Sequence, residues 1–107
     1  MKSPYSLIVI LLINSLYANA EVTLDGTLGR SSALPGPDYL IGADLGRQVG
    51  GNLFHSFRDF NLNSHESATF SGPNNVTNIL SRVTGGNSSN IDGLIRSTIP
   101  NAVIYFL

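Results

Sequence analysis

The sequence predicts an all-β protein, and three observations carry that expectation. All eleven glycines and four of the five prolines lie after residue 20, among dense asparagine and serine, so breakers interrupt the chain at short intervals. No window there has apolar residues at i, i+3, i+4 and i+7 without a nearby Gly or Pro, which is the spacing an amphipathic helix requires. Short β-branched and aromatic runs recur instead between turn residues, as strands do.

In chain order the expected strands are Val22 to Leu24, Tyr39 to Ile41, Leu53 to Phe60, Ala68 to Phe70, Val76 to Val83, Gly93 to Arg96 and Ala102 to Leu107. The punctuation between them is Asp25-Gly26, Pro35-Gly36-Pro37, Gly50-Gly51, Ser71-Gly72-Pro73-Asn74-Asn75, Gly85-Gly86-Asn87 and Pro100-Asn101. Many short strands with Gly and Asn turns fit a sandwich, a barrel or a β-solenoid. The last strand tips the choice. Val103-Ile104-Tyr105-Phe106-Leu107 is apolar and is followed by no turn, charge or polar tail, the sort of edge that an uncapped solenoid leaves open. A buried final strand is the alternative; the favoured expectation is that the natural chain continues beyond Leu107.

The first 20 residues have a different character. Lys2 is the positive start, Leu7 to Ile13 are uninterruptedly apolar, and Ala18-Asn19-Ala20 supplies the small residues that signal peptidase reads before Glu21. The apolar run is too short to span a bilayer core, which needs about 20 such residues, and Asn14 and Ser15 interrupt it. Residues 1–20 are thus expected to be a cleaved signal peptide, and residues 21–107 to work outside the cytoplasm with no stable membrane anchor.

Lys2 is the one lysine; the mature part carries five Arg against seven Asp and Glu, a formal charge of −2. Nucleic acid and anionic membrane surfaces are therefore not expected partners. With no cysteine, disulfides and cysteine-ligated zinc or iron–sulfur sites are excluded, so packing alone must stabilise a small chain.

Candidate chemistry is sparse. His55 and His65, with Asp59 and Glu66 nearby, match no established ligand spacing, and a hydrogen-bonded structural His55 is the better expectation. Ser56 and Asp59 beside His55 hold the residue types of a hydrolase triad, but neighbours on one short strand cannot converge on one substrate atom. No nucleophile elbow, zinc-binding His-Glu-x-x-His or phosphate loop is present, and Asp44 and Asp92 beside glycines read as turn residues rather than calcium ligands. No catalytic residue, cofactor or metal is expected. Backbone and shape remain the main resources, which suits an interaction role through strand edges.

Three early blocks then fall into a pattern: Val22-Thr23-Leu24-Asp25-Gly26-Thr27-Leu28-Gly29, Gly36-Pro37-Asp38-Tyr39-Leu40-Ile41, and Gly50-Gly51-Asn52-Leu53-Phe54-His55-Ser56-Phe57 with Phe60-Asn61-Leu62. Further on stand Glu66-Ser67-Ala68-Thr69-Phe70-Ser71-Gly72-Pro73, Asn78-Ile79-Leu80-Ser81-Arg82-Val83-Thr84-Gly85-Gly86 and Ile91-Asp92-Gly93-Leu94-Ile95. In order and spacing these resemble the N-terminal secretion domain of filamentous haemagglutinin-like adhesins of two-partner secretion systems. The resemblance spans almost all of residues 21–107, and the Asn-Leu-Phe-His-Ser-Phe and Ser-Arg-Val-Thr-Gly-Gly blocks are its most specific parts.

The resemblance implies a right-handed parallel β-helix with extra capping strands near its N-terminal end, present here as an incomplete N-terminal part. It also implies a secretion-recognition segment of an exported adhesin-like passenger. Such a passenger crosses the periplasm, docks on an outer-membrane barrel with periplasmic docking domains, and reaches the cell surface or medium. Relatives continue after a strand like Asn101 to Leu107 into an Asn-Pro-x-Gly turn and further coils. The motif residues expected to carry recognition or the local fold are Asn52, Leu53, Phe54, His55, Ser56, Phe57, Asn78, Arg82, Gly85 and Gly86.

Within these blocks Leu53, His55 and Phe57 share one strand face, and Phe54 lies on the other. Phe54 or Phe57 is expected in the core, Asn52 and Asn78 are expected to close turns with their side chains, and Arg82 to pair with Asp92 or Glu66. Two other functions fit the bare residues: the start of a secreted β-helical polysaccharide-acting enzyme, or a small periplasmic β-sandwich binding module.

Overall fold

The computed structural model describes residues 21–107; the expected signal peptide, with Ala18 and Ala20 of its cleavage site, lies outside them. Among the described residues the regular structure is eight strands and one short 3-10 turn, Ala43–Leu45. The strands are β1 (Val22–Leu24), β2 (Asp38–Ile41), β3 (Arg47–Val49), β4 (Asn52–Phe60), β5 (Ser67–Phe70), β6 (Asn78–Val83), β7 (Leu94–Ser97) and β8 (Val103–Phe106).

Every expected strand is present within a residue or two, and β3 is added. Arg47-Gln48-Val49 contains one apolar residue and no alternation. It becomes a strand because the Gly50-Gly51 turn folds it back, antiparallel, on Asn52–Phe54.

The strands form two sheets. One runs β1-β4-β6-β8, with β3 also on β4; the other runs β2-β5-β7. β4, β6 and β8 pair in parallel, as do β2, β5 and β7. Partners one layer apart are separated by 26 residues at Asn52 and Asn78 and by 27 at Thr69 and Arg96. Such spacing gives each layer one strand to each sheet, with turns between. The parallel ladders rule against the antiparallel sandwich alternative. β1 and β3 run antiparallel along one edge of β4, closing that side of the stack.

Apolar side chains from the two sheets meet in one core, which includes Leu53, Phe57 and Ile79 from the larger sheet and Ile41, Ala68 and Phe70 from the smaller. Strict alternation cannot bury both Phe57 and Phe60, which are three residues apart. A bulge reconciles them: Thr23 pairs with Asp59 and Leu24 with Phe57, so Arg58 is the extra residue and the facing of β4 resets. Both rings are then buried and meet edge to face, 5.0 Å between centroids.

Candidate functional site

β4 and β6 carry most of the motif residues, and the parallel register sets them side by side. Asn52 lies opposite Asn78 and Ser56 opposite Arg82. The Asn78 Nδ2 group donates to Asn52 Oδ1 at 2.9 Å. The expectation that these asparagines close turns is thus corrected: each sits at the start of a strand, and their amides bond to each other across successive layers. An amide suits this pairing in register because it offers both a donor and an acceptor.

Leu53, His55 and Phe57 all point inward and are buried, whereas Phe54 points outward and is 38% exposed. Phe57 is therefore the core phenylalanine and Phe54 a surface one. His55 packs against Phe57 and Phe70, with centroids 5.9 and 5.4 Å away. Among the described residues neither of its ring nitrogens has a hydrogen-bond partner, nor has the hydroxyl of Ser81, its neighbour in register on β6. His55 is structural as expected, yet not hydrogen-bonded. The sequence cannot reveal this, since it shows polar type but not the apolar walls. Burial holds the imidazole neutral, pushing its pKa down to about 4 despite the opposing charge of Asp44. Gly46 makes this packing possible: a Cβ there would approach His55 Cε1 and Nδ1 to 2.8 Å.

Around Ser56 the outward face of the sheet is held by a polar network. Ser56 Oγ donates to Asp25 Oδ2 at 2.6 Å and accepts from Arg82 Nε at 2.7 Å. Asp25 also accepts from Thr84 Oγ1 at 2.7 Å and from the backbone N–H and hydroxyl of Thr27. Arg82 Nη2 reaches Thr27 Oγ1 at 3.1 Å. Arg82 does not pair with Asp92 or Glu66, as the sequence suggests; the β4–β6 register presents it to Ser56 and the β1 turn instead. Burial pushes the Asp25 carboxyl upward, but the bonds from Ser56, Thr84 and Thr27 outweigh this and hold it well below the usual carboxylate range.

The smaller sheet repeats the device. Asp38 Oδ1 accepts from Ser67 and Thr69 hydroxyls, Thr69 Oγ1 accepts from Arg96 Nε at 2.8 Å, and Arg96 Nη2 lies 3.6 Å from Asp38. In both sheets an aspartate on an earlier segment is thus tied through a hydroxyl to an arginine one or two layers on. Asp25, Thr27 and Thr84 were missing from the expected site residues because Asp25-Gly26-Thr27 reads as a local turn, and nothing local indicates which strand that turn will lie against.

The two motif glycines differ. A Cβ on Gly85 would run into the carbonyl oxygen of Arg58, while one on Gly86 would meet nothing within 4 Å. Glu21 is exposed and accepts from the Thr23 hydroxyl at 2.6 Å.

Beside the Ser56 network lies a groove of about 290 Å³ whose lining includes Leu28, Arg47, Val49, Phe54, Leu80 and Arg82. Arg47 stands opposite Phe54 on β3, and Leu80 opposite Phe54 on β6. The arrangement sets an apolar floor beside two guanidinium groups. His55 and His65 do not converge: one is in the core, the other on an exposed turn with φ 70°. Among the described residues no three His, Asp or Glu side chains cluster as metal ligands would.

Compared with curated proteins and with solved structures, the chain has no significant match. A family model for the TPS secretion domain matches residues 20–105, which takes in all eight strands apart from the last residue of β8. With that span covered, the chain belongs to the TPS secretion domain family.

Proposed function

We propose that residues 21–107 are the N-terminal secretion-recognition segment of an exported, adhesin-like two-partner secretion passenger. The match over residues 20–105 carries this reading. Residues 1–20 serve as the signal peptide, cut between Ala20 and Glu21, and residues 21–107 form the N-terminal part of the secretion domain. In the periplasm that domain is read by the periplasmic docking domains of a dedicated outer-membrane barrel, and the passenger ends at the cell surface or in the medium. The two parallel ladders and the antiparallel strands along one edge support a right-handed parallel β-helix with a cap at its N-terminal side. The chain's lack of cysteine suits passage through a pore, because no disulfide can lock a periplasmic conformation.

The test is secretion in a cell that carries the partner barrel. Fusing residues 1–107 to a reporter should move it to the medium only when the barrel is present, with Glu21 as the new N-terminus. Retention in the periplasm with and without the barrel would refute the reading.

A further inference from the structure

The face that carries the groove gathers three of the chain's five arginines. The mature chain is net negative, yet Arg47, Arg58 and Arg82 are exposed on or beside the outward face of the larger sheet. Among the described residues the ion pairs are Arg58 with Asp59 and Arg96 with Asp38. Arg47 and Arg82 therefore have no carboxylate within ion-pair distance. Arg82 spends two of its five N–H donors on Ser56 and Thr27, which fixes its direction and leaves the other donors for a ligand.

Apolar side chains fill the space between the two arginines. Phe54 is 38% exposed and Val49 58%, and both stand next to Leu80 and Leu28 along the groove. Tyr105 extends the row beyond Leu80 on β8 and is exposed as well. Neighbouring strands are about 4.8 Å apart and alternate residues of one strand about 7 Å. Arg47 and Arg82 are two strands and two residues apart, so their backbones are separated by roughly 12 Å. An extended peptide places side chains of one face about 7 Å apart, so carboxylates four residues apart, with an apolar residue between them, span that distance.

We infer that this groove docks an extended acidic and apolar peptide segment of a partner protein: an apolar side chain on Phe54 and Leu80, and carboxylates on Arg47 and Arg82. Under the proposed function, that segment belongs to the periplasmic docking domains of the outer-membrane barrel, and the inference rests on that reading. Charge complementarity selects the occupant. A basic segment would meet two guanidinium groups, and a wholly apolar one would leave both desolvated without a partner.

The full chain, mixed with fluorescein-labelled ten-residue peptides that carry Glu, Leu, Glu or Lys, Leu, Lys at every second position with Ser between them, so that charge and apolar side chain share one face, provides the test. Fluorescence anisotropy should show the Glu–Leu peptide binding, more weakly as salt rises, and the Lys–Leu peptide not binding. Arg47→Glu and Phe54→Ser should each weaken binding at least tenfold, Arg47→Lys should retain most of it, and Arg30→Glu, an exposed arginine that does not line the groove, should leave it unchanged. Far-UV circular dichroism identifies any variant that fails to fold, in which case Arg47→Gln replaces Arg47→Glu. In cells with the barrel, Arg47→Glu should leave the passenger in the periplasm.

Equal binding of both peptides, or undiminished binding in both groove variants, overturns the inference. So does concentration-dependent dimerisation that Phe54→Ser abolishes, which would assign the groove to a second copy. Secretion that needs residues 21–107 but ignores the groove variants overturns the groove alone. Secretion that persists when the whole region is replaced overturns the proposed function itself.

Discussion

Asp25 binds together three segments that are far apart in sequence, accepting from Thr27, Ser56 and Thr84. Replacing it with Ala leaves the nearly buried Ser56 hydroxyl and the Thr27 hydroxyl without their acceptor and Thr84 with the Phe57 carbonyl oxygen alone, and should cost about 2 kcal/mol, read as a lower urea midpoint. His55 predicts a pH dependence of the opposite chemical type. The unfolded chain protonates this imidazole near 6.5 and the folded chain near 4. Stability is therefore complete above pH 6.5 and declines as pH falls towards 4, by about 3 kcal/mol over the interval. His55→Leu removes two unpartnered buried nitrogens and should flatten urea midpoints between pH 4 and 6.5. Below that, the Asp25 carboxylate takes over: its depressed pKa contributes stability that is present above about pH 4 and lost as pH falls further. By its letters Asp25 reads as a turn residue and His55 as a hydrogen-bonded structural histidine, and only the surrounding strands assign the one a hydroxyl cluster and the other an apolar wall.

At the scale of elements, alternation in Leu53, His55 and Phe57 was enough to place β4 and its buried face. The bulge at Arg58 was not legible, because it arises from pairing with β1 and not from β4 itself. Its consequence reaches the motif glycines. The turn after β6 passes so close to the Arg58 carbonyl that Gly85 cannot carry a side chain. Gly85→Ala should destabilise the chain by about 1–3 kcal/mol, while Gly86→Ala, which points into open space, should change the melting temperature little. A thermal melt of the two variants side by side separates the glycines that the sequence presents as a pair. β3 was missed for a related reason: Arg47-Gln48-Val49 has no strand pattern, and is held by its pairing with Asn52–Phe54.

For the whole molecule, the dominant fact is that paired strands are distant in sequence. Asn52 meets Asn78, and Asp38 meets Ser67 at a separation of 29 residues. Each parallel pair must close a long loop before its ladder and core contacts repay the entropy, so folding should be slow. Refolding of the chain from urea, followed by far-UV circular dichroism in stopped flow, should take milliseconds to seconds; microsecond folding would contradict this. Slow folding is also compatible with export, since a chain that packs late remains threadable for longer.

Turn residues and short apolar runs, by themselves, determined that this chain is all-β and approximately where its strands lie, because those choices depend on local backbone preference and side-chain alternation. The ordered motif blocks identified its family. Tertiary structure decided the rest: parallel pairing with a 26-residue step, the bulge that buries Phe60, the unpartnered His55, and the meeting of Arg47 with Phe54 and of Arg82 with Ser56. The physical reason is that each depends on which strand lies beside which, and that is settled by packing between segments that no local window contains.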